Sequence, residues 1–231
     1  MLKYLITSLI GAASLMADEV APLKYPYQLG EWGEFYQQTV NASKPTNTLF
    51  IAVENFEKED RKPGLAVDLG VGTGRDTVYL LNKNWRVLAI DQEPEAIKII
   101  SNRVPADQKN RLEVKLCSFT DMKLPDQVDI ISSNSLPFLK PDEFSNVWQN
   151  IVEHLAVGGR VAVHLFGDKD VYAIRTLYPD MTTHTHDQVS ELFKDRFQIE
   201  FLEDERVMHP TLEGTGEELW HAFYVVAKKI K

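Results

Sequence analysis

Residues 66–77 read AVDLGVGTGRDT, and this stretch decides the fold. Leu65, Ala66, Val67 and Leu69 make a nearly continuous apolar run, as expected of a strand buried on both faces. Residues 75–82 have the character of a helix, and Gly70, Gly72 and Gly74 fill the turn between the two. Glycines there permit a tight turn and let the backbone approach a ligand seated over the helix N-terminus. The spacing is D-x-G-x-G-x-G. A dinucleotide fingerprint needs G-x-G-x-x-G. Counted from Gly70 its third glycine falls on Arg75, and counted from Gly72 it falls on Thr77. A side chain would then stand where the helix must close onto a pyrophosphate, which disfavours a nicotinamide-dependent oxidoreductase.

Working outward, the sequence keeps alternating short apolar strands with helical segments. A second strand over residues 86–90 (RVLAI) ends at Asp91, and a helix over 94–103 follows with Pro94 in its first turn. Strands are expected over 112–117, 128–132 (VDIIS) and 160–166 (RVAVHLF), with a helix over 144–155 closed by Gly158 and Gly159. This alternation means a doubly wound parallel sheet with right-handed crossovers. The tail breaks the rhythm. After a helix over 187–193, strands over 197–207 and 219–227 have no helix between them and should pair antiparallel. The expected fold is α/β, a Rossmann-like, mostly parallel, seven-stranded sheet with an antiparallel final strand.

The N-terminal side divides into two parts. Residues 1–17 have the layout of a secretory signal peptide: Lys3 near the start, then an uncharged, mostly apolar run to Met16 and Ala17. Leu15 at the −3 position is an imperfect cleavage signal. A cytosolic start at Met16, or a helix packed on the domain, explains the same residues. Residues 18–62 carry Tyr25, Tyr27, Trp32, Phe35 and Tyr36, an aromatic segment ahead of the first strand. Leu49, Phe50, Ala52, Val53 and Phe56 recur at helical spacing within it.

Composition narrows the function. The chain has 231 residues, 44% hydrophobic and 26% charged, which excludes disordered, collagen-like and multi-span membrane classes. Lysine and arginine number 25 against 34 acids, a net charge of −9. Such a chain lacks the basic face that displaces counterions from nucleic acid. The single cysteine, Cys117, excludes an internal disulfide and any multi-cysteine metal site. His184 and His186 have no third ligand placed near them, and Thr185 or Asp187 reads as a helix cap, so no metal is expected.

Five stretches together, AVDLGVGTGRDT, VLAIDQEPEAI, VDIISSNSLPFL, LAVGGRVAVHLFG and WHAFYVVAKK, give the chain its resemblance. Over roughly residues 45–230 it resembles a class I S-adenosylmethionine-dependent methyltransferase, closest to the small-molecule and tellurite-resistance-type branch. The resemblance implies S-adenosyl-L-methionine as cofactor, a methyltransferase domain over 63–231, and a lid over 18–62 that covers the cofactor and substrate. Asp91, at a strand tip, is suited to accept bonds from both ribose hydroxyls; a loop-capping aspartate is the alternative. Gly70, Gly72 and Gly74 would lie beneath the methionine portion, flanked by Arg75, and Gln92 would follow Asp91 onto the cofactor. Asp68 would orient the loop and reach the cofactor ammonium, or act only as a structural acid. Many members carry an acid after the third strand; here Cys117-Ser118-Phe119 stands there, so Ser118 would accept the adenine amino bond and Phe119 line the pocket.

Ligands sit beyond the carboxyl ends of parallel strands. That sets Asn134 and Ser135, after the fourth strand, against the methyl donor. His164 on the fifth strand and Trp220 and His221 on the last are expected near the same edge. Methyl transfer from a sulfonium is an in-line displacement that needs alignment and exclusion of water, and a base only where the acceptor loses a proton. His164, His221 and Asn134 are the candidate catalytic groups, and Tyr27, Trp32, Tyr36 and Trp220 the lid and substrate contacts. The expected partner is a small-molecule acceptor, without nucleic acid or stable membrane insertion. The compartment expected from cofactor supply is the cytoplasm, with export through residues 1–17 as the alternative. A silent cofactor-binding sensor or exported interaction protein is the second functional reading.

Overall fold

The computed structural model describes residues 32–171, 180–210 and 216–231. Tyr25, Tyr27 and the leader-like residues 1–17 lie outside this set. In chain order the elements that position the site are α1 (Gly33–Thr39), α2 (Asn47–Glu57), β1 (Leu65–Leu69), α3 (Arg75–Asn82), β2 (Arg86–Asp91), α4 (Pro94–Arg103), β3 (Leu112–Leu116) and β4 (Val128–Ser133). They continue with α5 (Pro141–His154), β5 (Leu155–Gly167), β6 (Thr183–His184), α6 (His186–Phe193), β7 (Phe197–Pro210) and β8 (Glu217–Lys229). The sheet order is β3-β2-β1-β4-β5-β8-β7, with β6 paired to β5. The pairs β1–β2, β1–β4, β2–β3 and β4–β5 are parallel, whereas β8 runs antiparallel to both β5 and β7.

Strand alternation divides the apolar residues between two faces. Ala66, Val87, Ala89 and Ile130 pack under α2, α3 and α4 with Leu49, Val53, Phe56, Leu80, Trp85 and Ile100. Val67, Leu69, Leu88, Ile90, Ile131 and Val161 face α5 and α6, whose Phe144, Trp148, Ile151, Val189 and Phe193 close the other side. Both faces of the parallel strands are covered, which is why their sequences read as apolar runs. α2, though N-terminal to the sheet, is a covering helix: Ala52 meets Ala162 and Val226.

The sheet is mostly parallel with an antiparallel final strand, as expected, and it differs from the expectation in an extra strand and in the role of one glycine pair. It has an eighth strand, the two-residue β6, whose Thr183 and His184 pair with Phe166 and Gly167. The antiparallel final strand β8 lies inside the sheet, and β7 forms the edge. Gly158 and Gly159 do not end a helix, because α5 stops at His154 and β5 begins at once. The β4–β5 register jumps from Val128 opposite Leu155 to Ile130 opposite Arg160. The bulge that absorbs the extra residues needs Gly158 at φ +83° and leaves Gly159 against the carbonyls of Ala156, Asp129 and Val128.

Arg160 follows that bulge and is nearly inaccessible, with 1% of its side chain exposed. Its Nε and Nη2 donate to the Glu200 carboxylate, each at 2.8 Å, and Nη2 also donates to Glu59 Oε1 at 2.5 Å. A buried guanidinium is tolerable only with such partners. The Arg160 hydrogen bond, seconded by Lys228, lowers Glu59 to about 2 from an ordinary 4.5. A depressed acid contributes stability above its unfolded titration and loses it as pH falls through the folded one. Acid destabilisation between about pH 4.5 and 2 is therefore expected to be shallower in Glu59→Gln than in the parent. Urea midpoints measured across that range check this, and parallel losses in the two proteins would refute it.

Candidate active site

The strands β1, β2, β3 and β4 end on one side of the sheet, and the chain turns over their tips to make a cavity of about 280 Å³. Its floor is the glycine loop after β1. Gly70 and Val71 donate their N–H groups to Ile90 O at 2.8 and 3.3 Å, which fastens the loop to β2. Gly70 and Gly74 have φ of +79° and +81°, a region open to glycine at little cost. A Cβ at Gly70 would collide with the Ser135 hydroxyl, and one at Gly74 with Ile100 Cδ1. The loop therefore lies as close to β4 and α4 as a backbone can, and the cavity opens above it.

Asp91 ends β2 beside this floor. Its Oδ2 accepts from Gly72 N–H and its Oδ1 from Glu93 N–H, each at 2.9 Å. Burial raises its carboxyl above the ordinary range, opposed by these backbone donors. Each oxygen keeps a further lone pair for a ligand hydroxyl. Gln92, Ser118, Phe119 and Ser135 join Gly70, Gly72 and Asp91 in the wall. Ser118 Oγ is tied at 2.7 Å to Asp121, whose own N–H donates back to it at 3.2 Å.

The roof comes from α1 and the residue before it. Trp32 stacks on Tyr36 with ring centres 6.5 Å apart and meets Phe138 edge-on at 5.0 Å. Tyr36 is buried over Gly72, and burial, followed by the charges of Asp91, Glu93 and Glu95, pushes its hydroxyl far above the ordinary phenol range. It stays a neutral phenol. Phe35, Glu93, Thr120, Phe138, Leu139, Lys140 and Glu143 complete the lining and were absent from the expected set. Phe35 was legible as a neighbour of Trp32 and Tyr36 at helical spacing. Lys140 and Glu143 carried no such signal, because they reach the cavity only through the turn into α5.

Residues 66–159 match a family described as a methyltransferase domain. An uncharacterized methyltransferase of Staphylococcus carnosus is 26% identical over 58% of this chain and 63% of its own length. The probable S-adenosyl-L-methionine-dependent methyltransferase TehB of Haemophilus influenzae is 25% identical over 66% of this chain and 52% of its own. The chain thus spans between half and two thirds of the curated relatives it matches. The crystal structure of TehB from Haemophilus influenzae aligns with a TM-score of 0.66 at 19% identity, over 85% of this chain and 66% of that one. The Burkholderia thailandensis 1,6-didemethyltoxoflavin-N1-methyltransferase aligns at 0.56, also at 19% identity, over 85% and 84%. Residues 66–159 thus match a methyltransferase domain, and the fold around them is that of the solved methyltransferases it aligns with.

The TehB relative is described as S-adenosyl-L-methionine-dependent, and the residues present here fit that cofactor. The loop is a cradle that any Cβ at Gly70 would fill, and Asp91 offers a carboxylate at its rim.

Other expected residues sit just outside the lining. Asp68 is buried behind the loop and accepts from Thr77 Oγ1 at 2.6 Å. Asp76 accepts from Thr46 N–H and Oγ1, and Asn134, whose side chain helps to lower the Asp76 pKa, is not among the cavity-lining residues. Arg75 lies 4.0 Å from Asp76 with its side chain 43% exposed.

The two candidate histidines differ. His221 is fully buried. Its Nδ1 accepts from Lys169 N–H at 3.1 Å, and its Nε2 lies 3.0 Å from Asp204 Oδ1, so the ring is committed to β7 and the turn after β5. A Cβ at Gly167 would strike the ring, so the pair is locked by packing as well. His164 lies flat on Tyr224 at 4.9 Å and touches Phe166 and Trp220. Its Nε2 is buried without a hydrogen-bond partner, and desolvation lowers its pKa to about 4. Neither histidine nor Trp220 is among the cavity-lining residues. His184 is buried on β6 against Phe144, and Thr185 caps α6 through Gln188.

Burial, then repulsion from Asp76, raises the Asp68 carboxyl above the ordinary range. A raised acid contributes stability at low pH and loses it as pH rises through the folded titration. From about pH 4 to 8 the ligand-free protein should therefore lose more stability than Asp68→Asn does. Urea midpoints across that range test the difference; equal slopes would mean that Asp68 is ionised throughout.

Proposed function

We propose that the protein transfers a methyl group from S-adenosylmethionine to a small-molecule acceptor by in-line displacement. The observation that carries the reading is one cavity in which the glycine loop, the Asp91 carboxylate and an aromatic roof meet. When bound, the cofactor supplies an activated methyl group on a sulfonium. Asp91 would hold the ribose hydroxyls, kept in place by its bonds to Gly72 and Glu93. The glycine loop would support the methionine portion, while Ser118 and Phe119 would line the adenine side and Gln92 the rim beside Asp91. Asp68, behind the loop, would orient it through Thr77. Trp32, Tyr36 and Phe138 would exclude water above the reacting centre and steer the acceptor.

A small acceptor agrees with the cavity volume and with the charge around it. Among the described residues, Asp91, Glu93 and Glu143 line the cavity against the single cation Lys140, and the chain as a whole carries −9. That balance repels polyphosphate ligands. The acceptors named for two fold neighbours are a didemethyltoxoflavin and a glycopeptide. Among the described residues no helix is long and apolar enough to cross a membrane. The reading sets the protein in the cytoplasm, where its cofactor is made. Neither His164 nor His221 lines the cavity, and His221 has its ring nitrogens engaged, so the reading assigns the displacement no histidine base.

Calorimetry should detect S-adenosylmethionine binding, and Asp91→Ala should weaken it roughly 100-fold through the loss of charged hydrogen bonds. Folded protein that binds none would end the reading. Release of S-adenosylhomocysteine across an acceptor panel separates an enzyme from a silent binder. His164→Ala should leave kcat near the parent value, because the ring lies outside the cavity; a loss of about 100-fold confined to acceptors that lose a proton would make it the base.

A further inference from the structure

The cavity roof stands on α1, a helix of 7 residues. A helix this short does not hold its shape alone. Besides the burial of Tyr36 in an apolar cluster, its anchors are polar, and they converge on the glycine loop and the first turn of α3. Arg103, in the last turn of α4, donates Nη1–H to Thr73 O at 2.8 Å and Nη2–H to Ala42 O at 2.5 Å. Thr73 Oγ1 in turn donates to Thr39 O, at the end of α1, at 3.3 Å. Four residues past Ala42 the segment is tied down again, where Thr46 gives both its N–H and its hydroxyl to Asp76 at 2.8 Å.

Arg103 is placed for this task by its own helix. Ile100, one turn earlier on the same face, supports the loop from below, touching the space where a Gly74 Cβ would be. Thus α4 carries the loop with an apolar side chain and reaches over it with a guanidinium. The planar fork spans two carbonyls that belong to different segments, one of the floor and one of the roof. A lysine ammonium is a single point donor and reaches both far less well.

We propose that Arg103 is a positioning residue of the cofactor site: it clamps the roof segment onto the glycine loop and so sets the rate at which the cofactor leaves. A ligand lying between floor and roof is released when Trp32 and Tyr36 part from Gly72. The Arg103 fork resists that separation directly, because one arm holds each side. The inference rests on reading the cavity as the cofactor site.

The test uses the full chain with S-adenosylhomocysteine as a non-reacting probe. Dissociation is followed by stopped-flow displacement, alongside amide hydrogen exchange and thermal melting. Arg103→Gln should raise the dissociation rate about tenfold, the size expected for losing charge-assisted hydrogen bonds. It should speed exchange in residues 33–42 and leave β1 and β4 at the parent rate. Arg103→Lys should recover part of the slow dissociation. Thr46→Val, which leaves both Arg103 bonds intact and removes one link to Asp76, should shift dissociation the same way by a smaller factor. Unchanged dissociation in Arg103→Gln and Thr46→Val, with or without a lowered melting temperature, would make Arg103 a fold-stabilising residue only and overturn the proposal. Absence of probe binding by the parent protein is a separate outcome, and it would overturn the cofactor reading itself.

Discussion

The hydrogen bond from Gly72 N–H to Asp91 links the two features on which the site depends. β1 and β2 are neighbours in the sheet, so their tips emerge side by side, but two adjacent tips do not make a binding surface. The loop after β1 must rise, turn back and start α3 while keeping its backbone at Gly70 and Gly72 in the cavity wall. Gly70 and Gly74 make that path sterically possible, and the Asp91 carboxylate, itself fixed by Glu93 N–H, pins the loop at Gly72. Without the carboxylate one loop amide loses its acceptor; without the glycines the loop collides with Ser135 and Ile100. Everything above, including the seat of Tyr36 on Gly72, inherits its position from this pairing.

Three buried acids, Asp68, Asp76 and Asp91, surround the loop, and burial shifts all three upward. Their close partners are mostly hydroxyls and amides: Thr77 for Asp68, Thr46 for Asp76, and two backbone N–H groups for Asp91. The cation nearest Asp76, Arg75, stands 4.0 Å away and half in solvent. Contrast the other buried charge cluster, where Arg160 is answered by Glu59 and Glu200. One cluster is internally neutralised and serves the fold. The other leaves carboxyls whose ionised form burial disfavours and no close cation offsets, an arrangement in which a bound cation would favour their ionisation.

How far the sequence could be read depended on the range of the interaction. The strand, turn and helix around Gly70–Gly74 are local, and their glycine spacing is written in twelve consecutive residues. Asp91 was legible because a parallel neighbour strand has a predictable tip. The Arg103 clamp was not: its two acceptors lie 30 and 61 positions away in sequence, and neither is a side chain. The role of His221 was equally hidden, since burial and the partner Asp204 arise only from the β7–β8 pairing. Gly158 and Gly159 have the composition of a helix terminus, and only the β4–β5 register distinguishes a bulge from a cap. Trp32 and Tyr36 fell on the roof from their position ahead of β1, whereas Phe138 and Lys140 required the course of the turn into α5.

Floor and roof come from different parts of the chain. The floor consists of strand tips whose residues are also core residues, so substitutions there disturb the sheet. Much of the roof is a short segment ahead of β1, held by a few polar anchors and by Tyr36 in the apolar cluster on one face of the sheet. Such a division uncouples two kinds of inheritance. Descendants of one ancestor can conserve the donor-binding half under strict steric selection while the covering segment drifts, exchanges aromatics or changes length. Divergence in acceptor choice then needs no redesign of the scaffold, and kinship among such proteins should be sought in the tips of β1 and β2 before it is sought in the covering helix.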